Sequence, residues 1–167
     1  MLSKRSGCFF ALMVAVLFAV ACSSPPLKTT VEVTGGTIEG VEREGIFAYK
    51  GIPFAAPPVG DLRWKAPKPV EAWTGVKDAD AYACGCMQDA SMAAMTGAPA
   101  NFSEDCLYLN IWTGARKVDE RRPVMVWIHG GAFVGGMTGT PMFDGTKFAQ
   151  KGVVLVSLAY RLGVFGF

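Results

Sequence analysis

Residues 123–133 read Pro-Val-Met-Val-Trp-Ile-His-Gly-Gly-Ala-Phe. The apolar run 124–128 is typical of a strand that is buried on both faces of a sheet. It leads directly into His-Gly-Gly-Ala at 129–132, where glycines allow backbone conformations that a side chain forbids. Successive N–H groups of such a loop can point at one spot, which is the requirement for an oxyanion hole. A tight turn after a core strand is the alternative interpretation.

The segments around this stretch predict more strands than helices. Alternation of apolar and polar residues indicates exposed strands near the N-terminus, with a Gly-Gly turn between them. A second continuous apolar run indicates another strand buried on both faces. The predicted elements are strands at 31–33, 37–41, 46–52, 107–112 and 153–158, and one short helix at 146–151.

Composition and charge exclude several classes of function. The 167 residues suit one domain, and the net charge is +2. Lys4 and Arg5 supply that whole excess, so the chain after them carries no basic surface for nucleic acid. The single histidine, His129, rules out a metal site with several histidines, and any histidine-based catalysis by this chain would depend on it.

The first thirty residues predict export. Residues 1–21 combine two positive charges with a thirteen-residue apolar run, which is too short to span a bilayer and is typical of a signal peptide. Residues 19–22, Ala-Val-Ala-Cys, resemble a bacterial lipobox, with Cys22 as the lipidated residue and 22–30 as a tether. We expect an outer-membrane lipoprotein or a periplasmic or secreted protein. The alternative is an ordinary cleaved signal with Cys22 incidental.

Further blocks of sequence lie in order along the mature chain. Residues 51–64 read GIPFAAPPVGDLRW, residues 103–112 read SEDCLYLNIW and residues 160–167 read YRLGVFGF. Together with 129–133, and with 67–73 continuing the first block, they resemble the signature blocks of the type-B carboxylesterase (carboxylesterase/cholinesterase) family. The resemblance implies an α/β fold, the α/β-hydrolase fold.

The resemblance also implies roles for residues of the glycine-rich loop. In this family the N–H groups of Gly131 and Ala132 would hold the developing oxyanion, and Gly130 is the preceding glycine of the loop. Phe133 would line the acyl side of the substrate pocket. His129 is then expected to shape the loop rather than act as the general base.

Beyond the tether, the mature chain has three cysteines, Cys84, Cys86 and Cys106, and one charged pair inside the matching blocks. The resemblance implies a disulfide between Cys86 and Cys106, which would close about 20 residues and stabilise by about 3 kcal/mol in the chain-entropy model. A bridge between Cys84 and Cys106 is the competing possibility. Arg63 and Glu104 fall where the family has a structural ion pair.

The catalytic serine of such an enzyme has no candidate in this chain. No Gly-x-Ser-x-Gly occurs in the 167 residues, and no serine after the signal sits at a strand-to-helix elbow. In the family the serine, the acid and the histidine of the triad all follow the YRLG block. One departure from the family pattern is Ala159, directly before the YRLG block, where the family usually has Asn.

We therefore expect residues 31–167 to be the N-terminal part of a carboxylesterase domain, with an incomplete sheet that ends before the nucleophile elbow. The full-length protein is expected to cleave a small-molecule ester through an acyl-enzyme, and this chain alone is expected to be inactive. No cofactor, metal or protein partner is implied, and a membrane is contacted only through the lipid anchor. The alternative is a non-catalytic, lipid-anchored binding module of the same family, which would leave the flank of strand 153–158 exposed.

Overall fold

The computed structural model describes residues 24–94 and 100–167 of the chain. The predicted signal peptide, residues 1–21, and the predicted lipidation residue Cys22 lie outside the described residues. In chain order the strands are β1 Thr30–Val33, β2 Gly36–Glu39, β3 Val41–Arg43, β4 Ile46–Pro53, β5 Val76–Asp78, β6 Gly85–Cys86, β7 Phe102–Ser103, β8 Tyr108–Thr113, β9 Val124–Ile128 and β10 Val154–Leu158. The helices are α1 Ala90–Ala94 and α2 Thr146–Gln150, and short 3-10 turns occupy Gly60–Leu62, Pro141–Phe143 and Gly163–Phe165.

A mixed five-stranded sheet in the order β3-β4-β8-β10-β9 forms the centre of the fold. β9 and β10 run parallel, with Val126 opposite Val156 and Ile128 opposite Leu158. The pairings of β10 with β8, of β8 with β4 and of β4 with β3 are antiparallel. Because β9 and β10 are parallel and in step, they end at the same edge of the sheet, and the loops that follow them are neighbours.

Two smaller sheets flank the central one. β1 and β2 form an antiparallel hairpin that β5 extends in parallel, and β6 pairs in parallel with β7. The predicted strands near the N-terminus, at 46–52, at 107–112 and at 153–158 are confirmed within one or two residues at their ends, and so is the short helix, α2.

The core lies on both faces of the central sheet. Trp112 of β8 is fully buried and packs with Ile46, Ala48 and Leu155 on one face. Clusters of buried apolar side chains also lie on the opposite face and around the disulfide. Burial of this kind supplies most of the free energy that offsets the entropy of ordering the chain.

The prediction that 124–128 is buried on both faces is wrong for the described structure. β9 is the edge strand of the sheet, and Val124, Val126 and Ile128 are each more than half exposed. The apolar pattern indicates that β9 is suited to burial, but no part of the chain that the structure describes covers its outer edge and these side chains. The exposed flank is therefore that of β9 rather than that of 153–158, because β10 lies between β8 and β9.

The residues predicted to be a tether lie against the domain where the structure describes them. Pro26 forms a bridge to Lys117, and the N–H of Leu27 donates to the carbonyl of Arg116 at 2.8 Å. Leu27 also packs against the cluster around Ile38. An apolar side chain at Leu27 and free backbone groups beside it favour docking over a solvated linker. None of the helices in the described ranges is long and apolar enough to span a bilayer.

Candidate functional site

The loop 129–136 begins where β9 ends and is held by strands that position both of its ends. Ile128, the last residue of β9, stands opposite Leu158 of β10. The chain then leaves the sheet at His129 and returns to the interior at Met137, which is buried. We call residues 129–136 the oxyanion loop, after the function predicted for it.

The backbone of the oxyanion loop is left-handed over three consecutive residues. Gly131 has a φ of 125°, Ala132 of 52° and Phe133 of 65°. Side chains at Ala132 and Phe133 make this conformation costly, by about 1–3 kcal/mol per residue, so it persists only where surrounding contacts impose it. A Cβ at Gly131 would lie 1.9 Å from the carbonyl oxygen of Gly135, so glycine is required there.

A tight turn within the loop leaves two N–H groups unused. The carbonyl of Gly131 accepts from the N–H groups of Val134 and Gly135 at 3.0 and 3.1 Å. Across residues 24–94 and 100–167, the N–H groups of Gly131 and Ala132 donate to no protein acceptor. Two adjacent unpaired donors on a constrained backbone are a geometry suited to binding an anionic oxygen.

The loop borders an open, mostly apolar pocket of about 490 Å³. Phe133, Tyr160 and Phe167 form aromatic walls, and the rings of Phe133 and Phe167 lie 4.6 Å apart between centroids. Leu158 and Ile128, the last residues of the two parallel strands, also line the pocket. The free N–H groups and an apolar surface therefore meet at one edge of the sheet.

The segment after β10 fixes the loop from the side. The hydroxyl of Tyr160 donates to the carbonyl of His129 at 2.8 Å, and the N–H of Gly163 donates to the carbonyl of Phe133 at 2.7 Å. These two bonds hold the first residue of the loop and its left-handed centre. The parallel pairing of β9 and β10 is what brings the two segments within reach.

His129 is buried, and its ring hydrogen bond is to its own loop. Its Nδ1–H donates to the carbonyl of Gly130 at 2.9 Å, and its ring stacks on Tyr160 with 4.4 Å between centroids and 14° between planes. Burial lowers the pKa of His129 below its ordinary value, more than the bond to Gly130 raises it. A buried, neutral imidazole bonded to the adjacent carbonyl is suited to shaping the loop.

The serines within the described ranges do not supply a nucleophile beside the loop. Ser157 is fully buried in β10, where its hydroxyl accepts from the side-chain amide of Asn110 at 3.0 Å. The hydroxyl of Ser103 accepts from the N–H of Asp105, that of Ser91 donates to Asp89 and that of Ser24 donates to Asp119. Each of these serines is engaged in local structure, so catalysis at the loop would need a hydroxyl from elsewhere.

Cys86 and Cys106 form a disulfide, and Cys84 is a free thiol. Of the two disulfides that the sequence allowed, the structure therefore contains the one between Cys86 and Cys106, which are 20 residues apart. Arg63 and Glu104 form a two-pronged ion pair, with both nitrogen–oxygen distances at 2.5 Å. The bonds from Arg63 lower the pKa of Glu104, against the effect of its partial burial.

Asn110 is a buried polar residue whose role the sequence did not reveal. In the middle of β8 it accepts from the N–H of Gly51 at 2.9 Å and donates to the hydroxyls of Thr138 and Ser157. It thereby ties two strands to the segment that leaves the oxyanion loop. A polar residue at a core-facing position of an otherwise apolar strand is the signal that could have identified it.

Tyr160 and Gln88 also hold the loop, and the sequence did not indicate that role for either of them. Tyr160 opens one of the blocks that match the family and Gln88 lies two residues after Cys86, but nothing in their spacing indicates contact with residues 129–136. Gln88 bonds to Gly136 across 48 residues of sequence. No group of three metal-ligating side chains occurs among the residues that the structure describes.

Known proteins resemble this chain in sequence. The model of the carboxylesterase family matches residues 27–167. The chain is 44% identical over 153 residues to a fumonisin B1 esterase of Sphingopyxis macrogoltabida, which covers 92% of this chain and 28% of that protein. It is 47% identical over 135 residues to a para-nitrobenzyl esterase of Bacillus subtilis, covering 79% of this chain and 27% of that protein.

Solved structures give the same result for the fold. A PNB esterase matches with a TM-score of 0.79 at 43% identity, covering 84% of this chain and 29% of that chain. A carboxylesterase of Geobacillus stearothermophilus matches with a TM-score of 0.73 at 45% identity, covering 84% and 28%. The chain therefore has a partial, mixed-sheet α/β-hydrolase fold, and it spans less than a third of the length of these relatives.

The lowered pKa of His129 predicts a specific pH dependence of stability. Below about pH 6.5 the unfolded chain takes up a proton at His129 that the folded chain resists, so the free energy of unfolding falls as the pH drops from 7 to 5. The slope reaches at most about 1.4 kcal/mol per pH unit. His129 is the single histidine, and carboxylates titrate below this window.

Urea unfolding at pH 7, 6 and 5 measures this slope. The control is His129→Asn, a neutral side chain that does not titrate and should flatten the dependence. If the variant shows the same slope as the original protein, some other group is responsible and the assignment to His129 is wrong.

Proposed function

Because the chain belongs to the carboxylesterase family, we propose that it forms the N-terminal part of a serine carboxylic-ester hydrolase. The relatives named above are esterases that extend well beyond the portion matched by these 167 residues. The observation that carries the proposal is the pair of unpaired N–H groups at Gly131 and Ala132, on a left-handed backbone beside an apolar pocket.

In the proposed reaction, a serine hydroxyl attacks the carbonyl carbon of the ester. The carbonyl oxygen becomes an oxyanion and accepts hydrogen bonds from the N–H groups of Gly131 and Ala132. These donors are oriented before the reaction, so no reorganisation is needed as charge develops. The alcohol leaves, an acyl-enzyme remains, and water then releases the acid.

The pocket favours an apolar acyl group. Phe133, Tyr160 and Phe167 present aromatic surface next to the donors, and Phe133 is well exposed to the pocket. We propose that the acyl chain of a small-molecule ester packs against Phe133. Its apolar contact supplies binding energy, and the loop supplies the charge stabilisation that accelerates the chemical step.

The nucleophile, the acid and the base are proposed to come from polypeptide beyond residue 167. Ser157 and Ser103 are committed to structural hydrogen bonds, and His129 is bonded within its own loop. A polypeptide of residues 1–167 alone would then hold an oxyanion site without a nucleophile to use it, and is expected to turn over no ester.

Substitution of one loop glycine tests the proposal in the protein extended by its C-terminal sequence. Gly131→Ala places a Cβ against the carbonyl of Gly135 and forces an alanine to a φ of 125°, so the donor should be lost. We expect kcat/KM for a short p-nitrophenyl ester to fall by about 100- to 1,000-fold. The substitution Gly130→Ala, whose Cβ enters open space, should lower it by less than about tenfold.

Two results would count against this function. Equal effects of Gly131→Ala and Gly130→Ala would show that the oriented donor has no special part in turnover. Turnover by residues 1–167 alone, insensitive to a serine-directed organophosphate, would show that the chemistry needs no added nucleophile and is of another kind.

We further propose that the protein is exported and anchored by a lipid on Cys22. The charged and apolar pattern of residues 1–21 supports this, and the disulfide between Cys86 and Cys106 suits an oxidising compartment. In a bacterial host, Cys22→Ala should move the protein from the membrane fraction to the soluble periplasmic fraction. Equal distribution of the two proteins would leave Cys22 without a role in anchoring.

A further inference from the structure

The side chain of Gln88 contacts both backbone groups of Gly136, the last residue of the oxyanion loop. Its Nε2 donates to the carbonyl of Gly136 at 2.8 Å, and its Oε1 accepts from the N–H of Gly136, also at 2.8 Å. This two-point pairing resembles that between neighbouring strands, but one partner is a side chain from a distant part of the sequence. It fixes the orientation of the Gly136 peptide groups as well as their position.

Gly136 is where the end of the oxyanion loop meets its beginning. It has a φ of 111°, and a Cβ there would lie 2.3 Å from Nδ1 of His129 and 2.4 Å from the carbonyl oxygen of Gly130. The backbone of Gly136 thus packs directly against the first two residues of the loop. A shift of Gly136 would open this closure and release the left-handed residues between its ends.

Gln88 is itself held by a hydrogen bond to the disulfide-bonded residue Cys86. The same Nε2 donates to the carbonyl of Cys86 at 3.1 Å, so both amide hydrogens and the amide oxygen are used. Cys86 is buried, belongs to β6 and is joined by its disulfide to Cys106. The contact therefore connects the loop to a covalently closed part of the domain.

We propose that Gln88 is a positioning residue for the oxyanion loop, holding Gly136 so that the N–H groups of Gly131 and Ala132 stay aimed at the pocket. Gln88 does not touch the substrate in this account and acts through Gly136 alone. The catalytic consequence rests on the proposed function, whereas the effect on the loop does not. Tyr160 and Gly163 hold the first residue and the centre of the loop, so Gln88 completes the set by holding its end.

The chemistry of the pairing predicts how substitutions rank. Gln88→Ala removes all three contacts. Gln88→Glu keeps an acceptor for the N–H of Gly136 but sets a carboxylate against the carbonyl oxygens of Gly136 and Cys86, so it should displace Gly136 as well. Gln150→Ala is the matched control, because Gln150 is an exposed glutamine at the end of α2.

Amide hydrogen exchange on the full chain reads the loop without requiring turnover. In Gln88→Ala we expect exchange at Gly136 to become about tenfold faster. Exchange in β10 should stay unchanged, which shows that the fold is intact. Exchange at Gly136 should also be faster in Gln88→Glu than in the original protein, and Gln150→Ala should match the original protein. Unchanged exchange at Gly136 in Gln88→Ala, or an equal rise throughout β10, would overturn the proposal.

A kinetic comparison in the protein extended by its C-terminal sequence tests the catalytic consequence. Misalignment of the donors should lower kcat by about tenfold with KM within about twofold, since the apolar pocket is untouched. An unchanged kcat despite faster exchange at Gly136 would overturn the catalytic consequence. A third outcome is faster exchange at Gly136 in Gln88→Ala, together with no ester hydrolysis by the extended protein without the substitution. That result would contradict the proposed function but would still support the contact between Gln88 and the loop.

Discussion

The left-handed backbone at Gly131, Ala132 and Phe133 is the constraint on which the site depends. An isolated peptide would not hold two residues with side chains in this conformation, because each costs free energy that only surrounding contacts can offset. Here the offsetting contacts are a turn within the loop and hydrogen bonds from Tyr160, Gly163 and Gln88. The unpaired N–H groups of Gly131 and Ala132 are a consequence of that enforced geometry.

The topology of the sheet explains why those contacts come from such different parts of the chain. Parallel pairing places the ends of β9 and β10 side by side, so the segment after β10 reaches the loop after β9. Asn110 of β8 binds both Ser157 of β10 and Thr138, which follows the loop. The disulfide-closed segment that carries Gln88 approaches from the remaining side, and the sheet thus acts as a frame for one short loop.

The sequence predicted this fold to an uneven degree. Apolar runs and alternation located most strands to within one or two residues, and glycines after an apolar run indicated the loop at 129–136, since both signals are local. The oxyanion function of that loop stays a prediction. The prediction that β9 is buried was wrong. An apolar pattern indicates that a strand is suited to burial, but it does not show whether another strand or helix covers it. Gln88 and Asn110 could not be assigned a role, because their partners lie 48 and up to 59 residues away in sequence and no local pattern encodes such contacts.

The order of the Gly131 and Ala132 amides tests the central claim most directly, because the account requires these N–H groups to be rigid and yet unpaired. Backbone ¹⁵N relaxation of the folded chain measures that rigidity. We expect order parameters near those of β10, about 0.85, together with rapid exchange of both amides with solvent. Order parameters below about 0.6 would describe a flexible loop and would contradict a site oriented before its substrate arrives. Slow exchange of both amides would contradict the account as well, because it would show that the two donors already have partners.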